Sequence, residues 1–89
     1  MVRLERAVNL MVYCKLKKEE GSKVTYAIGG TVNDITGEMI VDYAHRTFEM
    51  VKEPESSKVY ARHVSAMLQH AFKDYARGIV KKRLSYEIG

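Results

Sequence analysis

Tryptophan is missing from this 89-residue chain, cysteine and proline occur once each, and only two phenylalanines are present. Each shortage excludes something. The one cysteine, Cys14, cannot close a disulfide within the chain, so a cystine-stapled scaffold is ruled out and a reducing cytoplasm is the expected setting. No apolar run approaches the roughly 18–20 residues that span a bilayer, so no membrane association is expected. Residues 1–6, Met-Val-Arg-Leu-Glu-Arg, lack the apolar block and small-residue cleavage site of a signal peptide. No biased tract or internal repeat interrupts the chain.

What is present suits one folded domain. Apolar residues make up 46% and charged residues 29%, a balance typical of folded globular chains. A chain this short buries only about 60–65% of its unfolded surface, so its core is modest and a homo-oligomer is expected. The net charge of +4 is unevenly spread. Residues 1–56 hold eight Lys/Arg and nine Asp/Glu, a net of −1, whereas residues 57–89 hold seven and two, a net of +5. Such asymmetry points toward an anionic partner.

Hydrophobic spacing predicts an α+β fold. Tyr60, Val64, Met67, Leu68, Ala71, Phe72 and Tyr75 recur at three- and four-residue steps, predicting one long amphipathic helix over Ser56–Gly78. Ser56 or Ser57 is the expected N-cap and Gly78 the expected C-terminal stop. Before it, Val8, Leu10, Val12, Cys14 and Leu16 alternate with polar or larger residues, which predicts a strand over residues 6–18. Leu4, Ala7, Val8, Met11 and Val12 also fit a helical stripe. The polar stretch Lys18–Ser22 leads to a second predicted strand, Lys23–Val32, completing an antiparallel hairpin with Val24, Tyr26, Ile28 and Val32 on one face. Gly29-Gly30 within it suits a bulge or a close backbone crossing, or alternatively a phosphate cradle.

Asn33–Glu38 has turn chemistry. A third strand is expected over residues 38–45, while Asp42 could instead cap a short helix through Val51 with Ala44, Phe48 and Val51 inward. After Gly78, Val80, Leu84, Tyr86 and Ile88 fall at even spacing, predicting a short returning strand. The whole reads as an antiparallel sheet of three to four strands, hairpin first and short C-terminal strand last, with the helix packed on one face.

Thr36-Gly37-Glu38-Met39-Ile40-Val41-Asp42-Tyr43, after a hairpin, resembles a turn-and-helix entry of the tetrahydropterin synthase family, with one extra residue after Gly37. That family's zinc chemistry uses histidines on its first two strands. Residues 6–33 here contain none, so the resemblance carries no function over to this chain.

Candidate catalytic and metal-binding groups are sparse. His63 and His70 lie seven residues apart, about 10 Å along a helix, too far to share a zinc ion bound at about 2.0–2.1 Å. These histidines are expected on the surface or helix flank. Cys14 reads as a small buried hydrophobe. Asp34, Glu38 and Asp42 match no calcium loop. No enzymatic activity, metal or cofactor is expected. The basic residues carry the functional expectation: Arg62, Lys73 and Arg77 on the helix polar face, and Lys81, Lys82 and Arg83 beyond its end, as contacts to nucleic-acid phosphates. Tyr60, Phe72 and Tyr75 are assigned to the core, which favours duplex or backbone binding over single-strand reading. The alternative is a structural or protein-interaction module that self-assembles, its basic face merely solvated.

Overall fold

Strand β1 runs from Leu10 to Glu20 and turns at Gly21-Ser22 into β2, Lys23–Gly29. The computed structural model describes residues 10–88, with the side chains of residues 10 and 88 outside that description. The predicted strand start at residues 6–9, Val8 included, therefore lies outside the described residues. The turn is tighter than the polar stretch Lys18–Ser22 suggests. Gly21, at φ 65°, takes the left-handed first position of a two-residue hairpin turn, where a Cβ is costly. Both strands consequently pair almost to their ends, Glu20 opposite Lys23.

Three further strands complete a five-stranded antiparallel sheet in the order β4-β3-β2-β1-β5, one strand more than the upper expectation. They are β3 (Gly37–Asp42), β4 (Thr47–Lys52) and β5 (Arg83–Ile88). Thr36–Tyr43 is thus mostly strand, and the resemblance to a turn-and-helix entry does not hold. The helix considered for Asp42–Val51 is replaced by a hairpin turn and β4. Asp42 does cap, but it caps a turn: its Oδ1 accepts the backbone N–H groups of Ala44 at 3.1 Å and His45 at 3.2 Å. The same local bonds would start a helix. Here Arg46 enters the left-handed region at φ 55° and sends the chain back, so that Phe48 and Met50 pack on the core.

One helix, α1, spans Ala61–Ala76, about 24 Å at 1.5 Å per residue. It is shorter at its start than predicted, and neither Ser56 nor Ser57 caps it. Tyr60 occupies the N-cap position with extended backbone and no side-chain cap. Ser57 is engaged elsewhere, holding the loop after β2. The C-terminal end matches the expectation. Gly78, at φ 85°, donates its N–H to the Tyr75 carbonyl, and Ile79 donates to Asp74. This double closure satisfies carbonyls the helix leaves open.

The helix lies over β1 and β5 on one face of the sheet. Val12, Cys14, Val24, Tyr26, Ile28, Met39 and Val41 from the sheet meet Val64, Met67, Leu68, Ala71 and Phe72 from the helix in one core. Tyr43, at the end of β3, stacks on Tyr75 at 4.8 Å and meets Phe72 edge-on at 5.8 Å. Two aromatic and aliphatic assignments change. Tyr60 is exposed at 39% and Val32 at 63%, because β2 ends at Gly29 and the helix starts only after Tyr60. Among the described residues no helix covers the opposite sheet face, where Tyr13, Lys15, Thr25, Ala27 and Ile40 lie half-buried or exposed.

Candidate functional site

Lys15, Leu16 and Lys17 on β1 run antiparallel to Arg83, Lys82 and Lys81 at the chain's return. Lys15 sits directly opposite Arg83, and the Leu16 N–H donates to the Lys82 carbonyl at 2.7 Å. A bulge between Leu16 and Lys18 puts Lys17 and Lys18 on the uncovered face beside them. Two basic runs separated by most of the chain therefore meet where β1 pairs with β5, Lys15 and Arg83 on the sheet face away from the helix and Lys81 on the helix side, beside Asp74. Like charges directly opposite across a ladder repel, so the Lys15–Arg83 pair favours an anion between or beside them.

Acidic groups offset part of this charge. Lys17 Nζ lies 2.9 Å from Glu38 Oε1, and Lys18 Nζ lies 3.5 Å from Glu20. Asp74 faces both Lys81, at 3.3 Å, and Arg77, at 4.0 Å. Lys15, Lys82 and Arg83 have no acidic partner among the described residues, and all three are exposed.

The six cations singled out from sequence are thus divided. Arg77, Lys81, Lys82 and Arg83 come together around the helix end and the start of β5. Lys73 lies one helical turn before Arg77, on the solvent side. Arg62 stands roughly 22 Å further up the helix and does not join them. Lys15, Lys17 and Lys18 belong to this junction but were hidden in the sequence as the polar side of a strand. Only the pairing of β1 with β5 brings them in, and strand alternation alone does not reveal a partner.

The crossing segment that carries Lys81 and Lys82 is pinned from below. Tyr26, fully buried, donates its hydroxyl proton to the Lys81 carbonyl at 2.9 Å. Its single proton is then used, so Tyr43 donates to the Tyr26 oxygen across 2.6 Å. Burial pushes the Tyr26 hydroxyl far above its ordinary value, which keeps it a donor at any physiological pH.

A second pinned element borders the junction. The loop after β2 is held by Asp34, a buried carboxylate. It accepts bonds from Thr36 Oγ1 at 2.7 Å, the Ser56 N–H at 2.9 Å and Ser57 Oγ at 2.6 Å. The Gly30 N–H donates in turn to Ser57 Oγ at 2.9 Å. Hydrogen bonds from Ser57 and Thr36 hold the Asp34 carboxyl below its usual value. Gly29 and Gly30 are a close crossing, with no cradle: a Cβ on Gly29 would collide with the Asp34 carbonyl, and one on Gly30 would meet the Lys58 carbonyl at 2.8 Å.

Between that loop and the β1–β5 pair lies a groove of about 410 Å³ lined by Tyr13, Lys15, Val32, Ile35, Arg83 and Ser85, with Cys14 and Leu84 at its base. A smaller cleft on the helix side of β5 is lined by His70, Asp74, Lys81 and Arg83 among others.

The remaining candidate groups do not converge. Cys14 is buried, and burial pushes its thiol up to about 12, which leaves little thiolate at neutral pH. His63, expected on the surface or helix flank, is buried. Its ring meets Tyr60 edge-on at 5.3 Å and stacks on Tyr86 at 6.2 Å. His45 lies in the β3–β4 turn beside Asp42. Among the described residues no group of three or more His, Cys, Asp or Glu side chains could hold a metal ion, and no helix is long and apolar enough to cross a membrane. Comparison with known proteins gave no match: no family model, curated protein sequence or solved structure is significantly similar to this chain.

Proposed function

We propose that this chain is a small basic binding protein that holds nucleic acid by its phosphates. The contact surface is the β1–β5 junction with Lys15, Lys81, Lys82 and Arg83, extended along the helix flank by Arg77, Lys73 and, more distantly, Arg62. The observation that carries this reading is the direct opposition of Lys15 and Arg83, without acidic partners among the described residues, next to exposed Lys82. A fold bears the cost of like charges on adjacent strands most readily when an anion is available to relieve it. Phosphate-backbone contact depends on Lys and Arg within reach of successive phosphates and is indifferent to sequence.

Titration of fluorescent DNA and RNA, single-stranded and duplex, at several salt concentrations tests this. Binding is expected to weaken with salt, and the double reversal Lys82→Glu/Arg83→Glu is expected to weaken it further. Reversing Lys52 on β4, at the other side of the sheet, is expected to matter much less. Salt-insensitive binding, or equal loss from both changes, would overturn the reading.

A second reading is self-assembly through a sheet edge. Strands β4 and β5 close the two sides of the sheet, each six residues long, and an unpaired edge can template a further strand. The two readings are compatible, since β5 carries Arg83 at its start.

A further inference from the structure

The loop residue Val32 stands 63% exposed, yet hydrogen bonds hold the loop on either side of it. Asp34 binds Thr36, Ser56 and Ser57, Gly30 binds Ser57, and the Asp34 N–H closes on the Thr31 carbonyl at 3.2 Å. Val32 does not stand alone: it lines one groove with Tyr13 and Ile35, and apolar groups gathered within a polar rim mark an interaction site. Tyr13, half-buried with its hydroxyl donating to Met11 Sδ at 2.9 Å, lines the same groove as Val32. Lys15, Arg83 and Ser85 line the same groove. The groove thus joins an aromatic and aliphatic wall to two cations and a hydroxyl. At about 410 Å³ it falls within the size range of small-ligand sites and toward its lower end.

Resting on the phosphate-binding reading above, we infer that this groove takes one unstacked nucleobase of a single strand, with its phosphate at Lys15 and Arg83. A base offers a flat apolar face to Tyr13 and Val32, and its phosphate supplies the anion that the two opposed cations favour. A base paired in a duplex cannot enter, because its faces are covered by its neighbours. The chain therefore prefers single strands. The sequence alone favours duplex or backbone binding, because Tyr60, Phe72 and Tyr75 read as core; Tyr13, half-buried in the groove, supplies the ring that reading lacks. The loop is already fixed before the ligand arrives, which lowers the ordering cost of binding.

A fluorescein-labelled deoxythymidine octanucleotide and a DNA duplex with the same number of phosphates form the test, measured by anisotropy on the intact chain. The octanucleotide is expected to bind more tightly. Tyr13→Leu, which keeps an apolar side chain but removes the ring, and Val32→Asp are each expected to weaken octanucleotide binding by about ten-fold, the scale of losing one stacked base. Val51→Asp on β4, at a position also 50% exposed, makes the same charge change away from the groove and is expected to cost no more than about two-fold. Equal affinity for both probes with Val32→Asp no worse than Val51→Asp would overturn the groove while leaving phosphate binding standing. Failure of both probes to bind would overturn both. Circular dichroism of each variant separates loss of binding from loss of fold.

Discussion

Gly29 and Gly21 both resist substitution, for different physical reasons. A Cβ on Gly29 would drive into the Asp34 carbonyl, where backbone cannot yield. Gly21 has open space around it but a φ of 65°, so an L-residue there pays only local strain of about 1–2 kcal/mol. Gly29→Ala is expected to cost about 3 kcal/mol, lowering the melting temperature by more than 10 °C on the usual scale of about 4–8 °C per kcal/mol. Gly21→Ala is expected to shift it by well under that. Thermal melts of the two variants compare them directly, and equal shifts would refute the steric account.

Asp34 gives a prediction in pH. Its folded carboxyl titrates below the ordinary value because Ser57 and Thr36 donate to the charged form. A depressed acid stabilises the fold fully above its unfolded value, about 3.9, and loses that contribution as pH falls through the lower folded value. Acidification below about pH 4 is therefore expected to destabilise the wild type more steeply than Asp34→Asn. Melting temperature followed from pH 7 downward checks this, and parallel acid limbs would count against it. The clamp was not legible in the sequence: Asp34 looked like turn chemistry and Ser57 like a helix cap. Each residue type suits several local bonds, and tertiary proximity selected between them.

At the scale of elements, the helix shows what periodicity can and cannot locate. The buried stripe Val64, Met67, Leu68, Ala71 and Phe72 follows from 3.6-residue spacing, as does the glycine stop. The start does not, because Ser57 found a buried carboxylate to bind and the chain stayed extended through Val59 and Tyr60. Leu68→Ala, at a fully buried position, is expected to destabilise by about 2–5 kcal/mol. Gln69→Ala on the exposed side is expected to change stability by no more than about 0.5 kcal/mol. Urea unfolding of both variants measures the contrast. Tyr26→Phe belongs with them: it leaves the Lys81 carbonyl and the Tyr43 hydroxyl without their partner and is expected to cost about 1–3 kcal/mol.

At the scale of the whole molecule, the helix covers one face of the sheet, and among the described residues no helix covers the other. Strands β1 and β5 carry Lys15, Lys17, Lys18 and Arg83 together with Glu19, Glu20 and Glu87, while β3 and β4 carry Glu38, Asp42 and Glu49 together with Lys52. If phosphate contacts hold nucleic acid, the logarithm of the binding constant falls with the logarithm of salt at about 0.9 per contact for duplex and 0.7 for single strands. Lys82→Glu/Arg83→Glu is expected to reduce that slope by about 1–2, read from the same titrations. The edge-assembly reading is checked by light scattering over a concentration series. A strict monomer at high concentration would remove it.

Local periodicity by itself determined the α+β class, the first hairpin, the amphipathic stripe, the helix stop and the returning strand, because each depends on neighbours a few residues apart. It left the segment 39–51 open, since Asp42 caps a turn and a helix with the same bonds. Only the tertiary structure decided that this segment makes two strands and that Ser57 clamps a loop. It also decided that His63 is buried between tyrosines and that β5 lies beside β1. The last of these brings the two basic runs together. Lys15 and Arg83 are far apart along the chain, and long-range strand pairing depends on how the whole core closes, which no local pattern encodes.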